Sequence, residues 1–346
     1  MLRRIRNASA LLATVVLGAS ASLASETVSG PELRWDLSLW GKQRAGTEAA
    51  ESLARHVLAR TEGRWTIQLH YGEALSKSRE NLDGLAIGAF EAAMFCNFYH
   101  PKKNPALMVL SLPFLPMSGT EQSLAVREAV YAHPAIKREM ARWGARLYVS
   151  SLLPQYEFMG RGKPPRTLED WKGKTVRAGG GLGQAMRALG AAPTSSPATE
   201  VYTGLQQGTM DAAAMPFTYA HISYRLHEVS EWYTSNLSPG TSECPIAISE
   251  RAYKNLVAPY KQLLDDIRPQ VIREQQQVYA TVDQENLPMI ETKLVAVKYD
   301  RAARARFKQA GLPVIEQWIV DNEGSFDSRD LVETVYRAAG ESFEPK

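Results

Sequence analysis

From residue 33 onward the apolar positions of the chain switch between two periods. Leu33, Trp35, Leu37 and Leu39 alternate with polar residues, the period of a half-buried strand. Between Glu48 and Arg60, Leu53, Val57 and Leu58 fall on one face of a helix that Gly63 stops. Trp65, Ile67, Leu69 and Tyr71 then alternate again. The strand–helix–strand rhythm continues along the chain and predicts an α/β fold of open, mostly parallel sheets with helices on both faces.

An internal echo refines this picture. Residues 84–93 read GLAIGAFEAA and residues 204–213 read GLQQGTMDAA, sharing Gly-Leu-x-x-Gly-x-x-acid-Ala-Ala. In each copy a helix should end near the second glycine (Gly88, Gly208), and a strand of small residues should begin just after the acid (Glu91, Asp211). Two similar lobes would use such a repeated helix-to-strand device. The first strand runs out through Cys96, Asn97, Phe98 and Tyr99, the second through Met215, Pro216, Phe217 and Tyr219. Ligands of open α/β sheets sit beyond the carboxyl ends of the strands. These aromatics therefore either form two facing lips of a cleft or fill the core of each lobe.

From Ser249 to Val297 the pattern becomes one of long helix, interrupted only by Pro269 between Tyr260 and Glu285. A helix of about 30 residues is about 45 Å long, enough to lie across two lobes. Residues 301–340 read as amphipathic helices with a packing role.

The N-terminus reads as an export leader rather than as fold. Arg3, Arg4 and Arg6 precede an uncharged apolar stretch, Ala8 to Leu17, and small residues follow. The stretch is shorter than the roughly 20 residues that span a bilayer, so a signal peptide over 1–25, cleaved near Ala24, and a periplasmic destination are expected. The 40 Lys and Arg against 37 Asp and Glu include those three arginines, so the remainder is electrically balanced. Balance without like-charge blocks argues against nucleic acid or an anionic membrane surface as partner. About 320 residues exceed one comfortable core, which again favours two lobes. Cys96 and Cys244 form no framework or metal motif; two small buried apolar side chains are favoured over a bridge.

Enzyme chemistry is not written in this sequence. There is no G-x-S-x-G, and the six histidines show no metal-ligand spacing. The glycines 179–181 and 183 follow a strand and open a helix, but Gln184 breaks the dinucleotide pattern and no P-loop lysine follows. No catalytic residue, metal or cofactor is expected. The glycines could still bring a helix N-terminus to the cleft, a place suited to a small anion. Just before them stands Arg177, at the carboxyl end of the apolar strand Lys174-Thr175-Val176-Arg177. Its planar guanidinium fits a carboxylate. Its partner is either an acid of the protein or one on a ligand.

The segment Leu168-Glu169-Asp170-Trp171-Lys172-Gly173-Lys174-Thr175-Val176-Arg177, then Leu189-Gly190-Ala191, Glu200 to Gly208 and Asp211 resembles the DctP-type solute-binding proteins of tripartite ATP-independent periplasmic (TRAP) transporters. Leu112-Pro113-Phe114 and Ile248-Ser249-Glu250 fit as well. The resemblance implies a two-lobed periplasmic binding protein, type II-like, with a long helix spanning both lobes. It further implies a small-molecule ligand, a partner of two membrane subunits driven by an ion gradient, and no enzymatic activity; we expect a monomer. It gives Arg177 the role of pairing with the ligand's carboxylate. Many members carry a second pocket arginine where this chain has Glu157, and an asparagine where it has Met215. Glu157 would then offer a site for an amine, pair with Arg177 or Arg161, or stand as a solvated strand-end acid. Glu243, on a segment resembling the hinge strand, is a candidate second pocket acid.

The expected organisation is lobe 1 over 26–150 with part of 241–260, lobe 2 over 151–240, a hinge-crossing helix region over 250–297, and C-terminal helices over 298–346. The expected site comprises Arg177, Glu157, Trp40, Asn97, Phe98, Tyr99, Met215, Phe217 and Glu243. These suit a monocarboxylate or a zwitterion better than a dicarboxylate, captured by lobe closure. The alternatives are an amine or uncharged solute held by Glu157 and the aromatics, or a sensory binding module of the same fold. An exported hydrolase on a similar scaffold would need a nucleophile, base and orienter, and no such set is present.

Overall fold

The computed structural model of the protein describes residues 27–344. The leader expected over 1–25, with its cleavage near Ala24, lies outside the described residues. The strands are β1 (Leu33–Ser38), β2 (Trp65–His70), β3 (Ala92–Met94), β4 (Ala145–Ser150), β5 (Tyr156–Gly160), β6 (Thr175–Arg177), β7 (Ala192–Thr194), β8 (Ala212–Pro216), β9 (Trp232–Thr234), β10 (Pro245–Ser249) and β11 (Val295–Val297).

They form two sheets, ordered β2-β1-β3-β10-β4 and β11-β9-β5-β8-β6-β7. In each sheet one strand runs against its neighbours: β10 pairs antiparallel with β3 and β4, and β5 with β8 and β9. The chain explains this. It passes from one sheet to the other over 151–155 and back over 235–244, without a helical crossover. The strand that enters each lobe, β5 or β10, therefore runs away from the junction into which its neighbours run. The carboxyl ends of the other strands converge on the cleft, where an open α/β sheet presents its ligand site.

Both copies of the echo fold as the same device. The helix Asn81–Ile87 ends on Gly88 at φ 73°, and the helix Val201–Gln207 ends on Gly208 at φ 74°. Only glycine takes this left-handed cap without strain. The acids then fix strand register. Glu91 accepts from the backbone N–H of Asp36 at 2.8 Å, and Asp211 accepts from that of Thr175 at 2.7 Å.

The long helix is shorter at both ends than the periodicity suggested. A separate helix, Glu250–Asn255, comes first; Leu256 and Val257 are extended, and the long helix runs Ala258–Lys293. Pro259 lacks an N–H and carries a helix-ready φ, so it starts a new helix rather than continuing the old one. At its other end, Val295–Val297 leaves the helix and joins the second sheet beside β9. The 36 residues span about 54 Å. Packing holds the helix together through Pro269 and Pro288: Tyr260, Leu263, Leu264, Ile267 and Val271 are buried on one side. Tyr279 donates to the carbonyl of Ser151 at the junction, and Asp283 accepts from the Thr218 hydroxyl of the second lobe. The helix thus braces both lobes. The C-terminal helices do likewise, Arg301–Asn322 packing on the helix Gly180–Ala188 and Ser328–Ala338 on the helix Thr120–Ala132.

One expectation fails outright. Cys96 and Cys244 are joined in a disulfide rather than buried as free thiols. Cys96 follows β3 and Cys244 precedes β10, and these strands are antiparallel neighbours with Ile246 opposite Met94. Their 148-residue separation hid a contact made by sheet pairing.

Candidate functional site

Arg177 ends β6 and is 1% exposed. Its Nε donates to the carbonyl of Ser196 at 3.0 Å, and Nη1 donates to that of Ala214 at 2.8 Å while touching the Met215 sulfur at 3.1 Å. Its guanidinium carbon lies 5.1 Å from the ring centre of Phe98, which belongs to the other lobe. Neutral groups thus hold the side chain in place. No carboxylate lies within ion-pair distance of it among the described residues. A buried cation held only by neutral partners retains a strong demand for an anion.

Trp40, Phe98 and Tyr99 from the first lobe and Tyr156, Met215 and Tyr219 from the second surround Arg177 in one pocket. No acidic side chain lines it. Trp40 meets Tyr99 edge-on with ring centres 5.9 Å apart. Burial pushes the Tyr99 phenol up to about 12 against the pull of the Arg177 cation, so the phenol stays neutral. The space left free in it is only about 20 Å³, room for one or two waters. An organic solute must therefore enter with the lobes apart.

The lobes meet at close quarters. The Tyr99 hydroxyl accepts from the backbone N–H of Ala198 at 2.9 Å, and Arg79 donates to the carbonyl of Ser195 at 2.8 Å. The glycine run serves this approach and not an anion. A Cβ at Gly179 would stand 2.4 Å from the Phe98 ring, one at Gly180 2.8 Å from Ser111 Cβ, and one at Gly181 2.8 Å from the Ser111 carbonyl oxygen. First-lobe residues fill the space over the helix N-terminus that the sequence reading had left for a small anion.

Four of the nine expected residues point elsewhere. Neighbours on a strand face opposite ways; Tyr156 turns to the pocket, and Glu157 turns away from it. The Glu157 carboxylate accepts from the Thr234 hydroxyl and from the Ser238 N–H at 2.8 Å, and pairs with neither Arg177 nor Arg161. Burial pushes it up to about 7, and the hydrogen bonds from Thr234 and Ser238 hold it there against a larger rise. Phe217 stacks on Tyr233, ring centres 6.0 Å apart, and lines a separate groove with Glu157. The Asn97 amide is consumed by the protein, donating to the Leu107 carbonyl and accepting from Phe98 N–H and the Ser111 hydroxyl. Glu243 is buried against Arg127 at 2.6 Å and accepts from the Tyr131 hydroxyl.

Arg44, Tyr156 and Tyr224, none of them among the expected site residues, also line the pocket, and so does Tyr219, which the sequence offered as a lip aromatic. Arg44 follows the carboxyl end of β1, the position where ligands of such sheets sit. That rule was the available signal, but no apolar period marks a loop. Among the described residues there is no cluster of side chains suited to a metal ion, and no helix long and apolar enough to cross a membrane.

Comparison with known proteins agrees with this architecture. The profile of the family described as DctP, bacterial extracellular solute-binding protein, family 7, matches residues 38–321. A protein of Albidiferax ferrireducens named solute-binding protein is 29% identical over 53% of this chain and 54% of its own length. A monocarboxylate 2-oxoacid-binding periplasmic protein of Nostoc sp. is 26% identical over 67% of this chain and 64% of its own. The chain thus spans between about half and two thirds of these curated relatives. A marine metagenome TRAP solute-binding protein specific for aromatic acids, solved with 3-hydroxybenzoate, superposes with a TM-score of 0.79 at 19% identity, covering 91% of this chain and 100% of its own. A TRAP solute-binding protein of Rhodoferax ferrireducens, solved with benzoate, also gives 0.79, at 18% identity over 89% of this chain and 97% of its own. At such identities the likeness establishes a shared two-lobed fold.

Proposed function

The chain belongs to the family 7 bacterial extracellular solute-binding proteins, receptors rather than enzymes, and we propose that it captures a small monocarboxylic acid for a TRAP transporter. One observation carries this reading: a fully buried guanidinium, Arg177, faces an interlobe pocket lined by no acid among the described residues. The ligand carboxylate takes the open side of Arg177. Its apolar or aromatic body lies against Trp40, Phe98 and Met215. Binding both lobes at once, the ligand stabilises the closed form by its higher affinity for that form. The closed receptor then docks on two membrane subunits in the periplasm.

The named ligands of related proteins, 2-oxoacids, benzoate and 3-hydroxybenzoate, are all carboxylates. Glu157 and Glu243 do not line the Arg177 pocket, which favours a simple acid over an amine or zwitterion there. A thermal-shift screen of small acids, amines and sugars tests the reading, since a ligand at 100 times its dissociation constant adds about 2.7 kcal/mol of stability. Acids should stabilise the wild type, and Arg177→Ala should weaken the best of them at least about thirtyfold, because leaving a buried charge unpaired costs about 2–5 kcal/mol. Stabilisation by amines or sugars alone, or equal affinity of the variant for the acid, would overturn it.

A further inference from the structure

A second cation, Arg44, lines the Arg177 pocket. Arg44 Nη1 donates to the carbonyls of Trp40 and Lys42, each at 2.8 Å, which fixes the guanidinium in place. Its carbon lies 5.2 Å from the Trp40 ring centre and 5.8 Å from that of Tyr224. No hydrogen bond engages its Nε or Nη2, and no carboxylate lies within ion-pair distance among the described residues.

Beside it, the hydroxyl oxygen of Tyr224 is shut off from solvent and makes no hydrogen bond. A buried hydroxyl left unpaired is costly, and such groups normally have a partner. The two groups meet at Gly41. A carbon placed on Gly41, where the glycine has no side chain, would lie 3.1 Å from Tyr224 Oη and 3.2 Å from Arg44 Nη1. Gly41 sits at φ 67°, the left-handed region that favours glycine.

Arg44 and Tyr224 also line a second, outer cavity of about 280 Å³, together with Lys42, Tyr202 and Arg225 and with no acidic side chain. They line both the small inner pocket and this larger outer cavity, whose Arg225 is paired with Glu228.

We propose that Arg44 and Tyr224 are a second ligand subsite, which takes an acceptor oxygen on the end of the acid remote from its carboxylate. Resting on the reading of Arg177 as the carboxylate anchor, this restricts the monocarboxylic acids to those with a distal keto or hydroxyl oxygen and, beyond them, admits a distal second carboxylate. Tyr224 donates its hydroxyl proton to that oxygen, and the Arg44 cation favours its negative charge. An ammonium at the same place would meet a cation and a donor, so amines are rejected there.

Matched pairs of acids test this by calorimetry on the full chain: benzoate against 3-hydroxybenzoate, and pentanoate against 4-oxopentanoate, with glutarate as a two-carboxylate probe. Wild type should prefer the oxygen-bearing member of at least one pair. Tyr224→Phe should erase about tenfold of that preference while leaving the plain acid within about twofold. Arg44→Gln should weaken glutarate most. If acids bind through Arg177 but both members of each pair respond equally to Tyr224→Phe and Arg44→Gln, the second subsite is refuted and the anchor stands. If no acid binds the wild type, or Arg177→Ala binds them all unchanged, anchor and subsite fall together.

Discussion

Arg127 Nε meets the Glu243 carboxylate at 2.6 Å, with the two side chains 1% and 0% exposed. The pair ties the helix Thr120–Ala132 to the segment that returns the chain to the first lobe. Arg127 Nη2 also donates to the carbonyl of Leu153 in the outgoing segment, so one guanidinium holds both crossings.

Removing one partner of such a pair leaves a buried charge uncompensated, at about 3–5 kcal/mol. Glu243→Gln should therefore lower the urea unfolding free energy by roughly that amount and leave relative affinities within an acid panel unchanged. A Glu243 that served the ligand would show the reverse, a changed selectivity with little loss of stability.

Glu157 gives the protein a pH-dependent stability. Its folded value of about 7 stands above the roughly 4.3 of a free glutamate. Between those values the folded state keeps a proton that the unfolded chain has released, so stability falls as pH rises through the window and levels off above it. Glu157→Gln removes the titration while its amide can still accept from Ser238. Its unfolding free energy should be flatter than wild type between pH 5 and 8, by on the order of 3 kcal/mol. Parallel pH profiles for the two proteins would disprove the placement of this acid.

The Cys96–Cys244 bridge closes a 148-residue loop. Reduction should lower stability by about 2–5 kcal/mol, read as a fall in denaturation midpoint with and without a reductant. Cys244→Ser should reproduce that fall and become insensitive to reductant.

Gly179→Ala probes closure at the contact between the lobes. Gly179 caps a helix at φ −96°, which alanine adopts freely, but the added carbon would meet the Phe98 ring at 2.4 Å. Ligand affinity should drop at least about tenfold, since overpacking costs about 1–3 kcal/mol, with the melting temperature of the ligand-free protein held within about 2 °C. Unchanged affinity would mean that the ring and the glycine do not meet when ligand is bound.

Much of the frame was legible because its signals are local. The repeat at 84–93 and 204–213 carries its own stop, Gly88 or Gly208, and its own strand start, and both copies fold as read. What each acid in the repeat does was not legible, since Glu91 bonds Asp36 and Asp211 bonds Thr175, partners 55 and 36 residues away. Arg177 stood out as a lone cation closing an apolar strand, and the structure leaves it without an acid. Glu157 was expected beside it because it stands where the resembled family carries a second pocket arginine; which face a side chain takes depends on strand pairing, and Glu157 turns to Thr234 and Ser238. Arg44 escaped notice because a loop has no period.

By itself the sequence determined where strands and helices alternate, where two repeated helices stop, and that a cation ends β6. Only the tertiary structure decided that Cys96 reaches Cys244, that Glu243 belongs to Arg127, and that Arg44 and Tyr224 line one pocket with Arg177. Periodicity and capping act over a few residues, so the sequence displays them directly. Pairing between distant side chains depends on how the two sheets are strung and how closely their lobes approach, and these are properties of the whole fold.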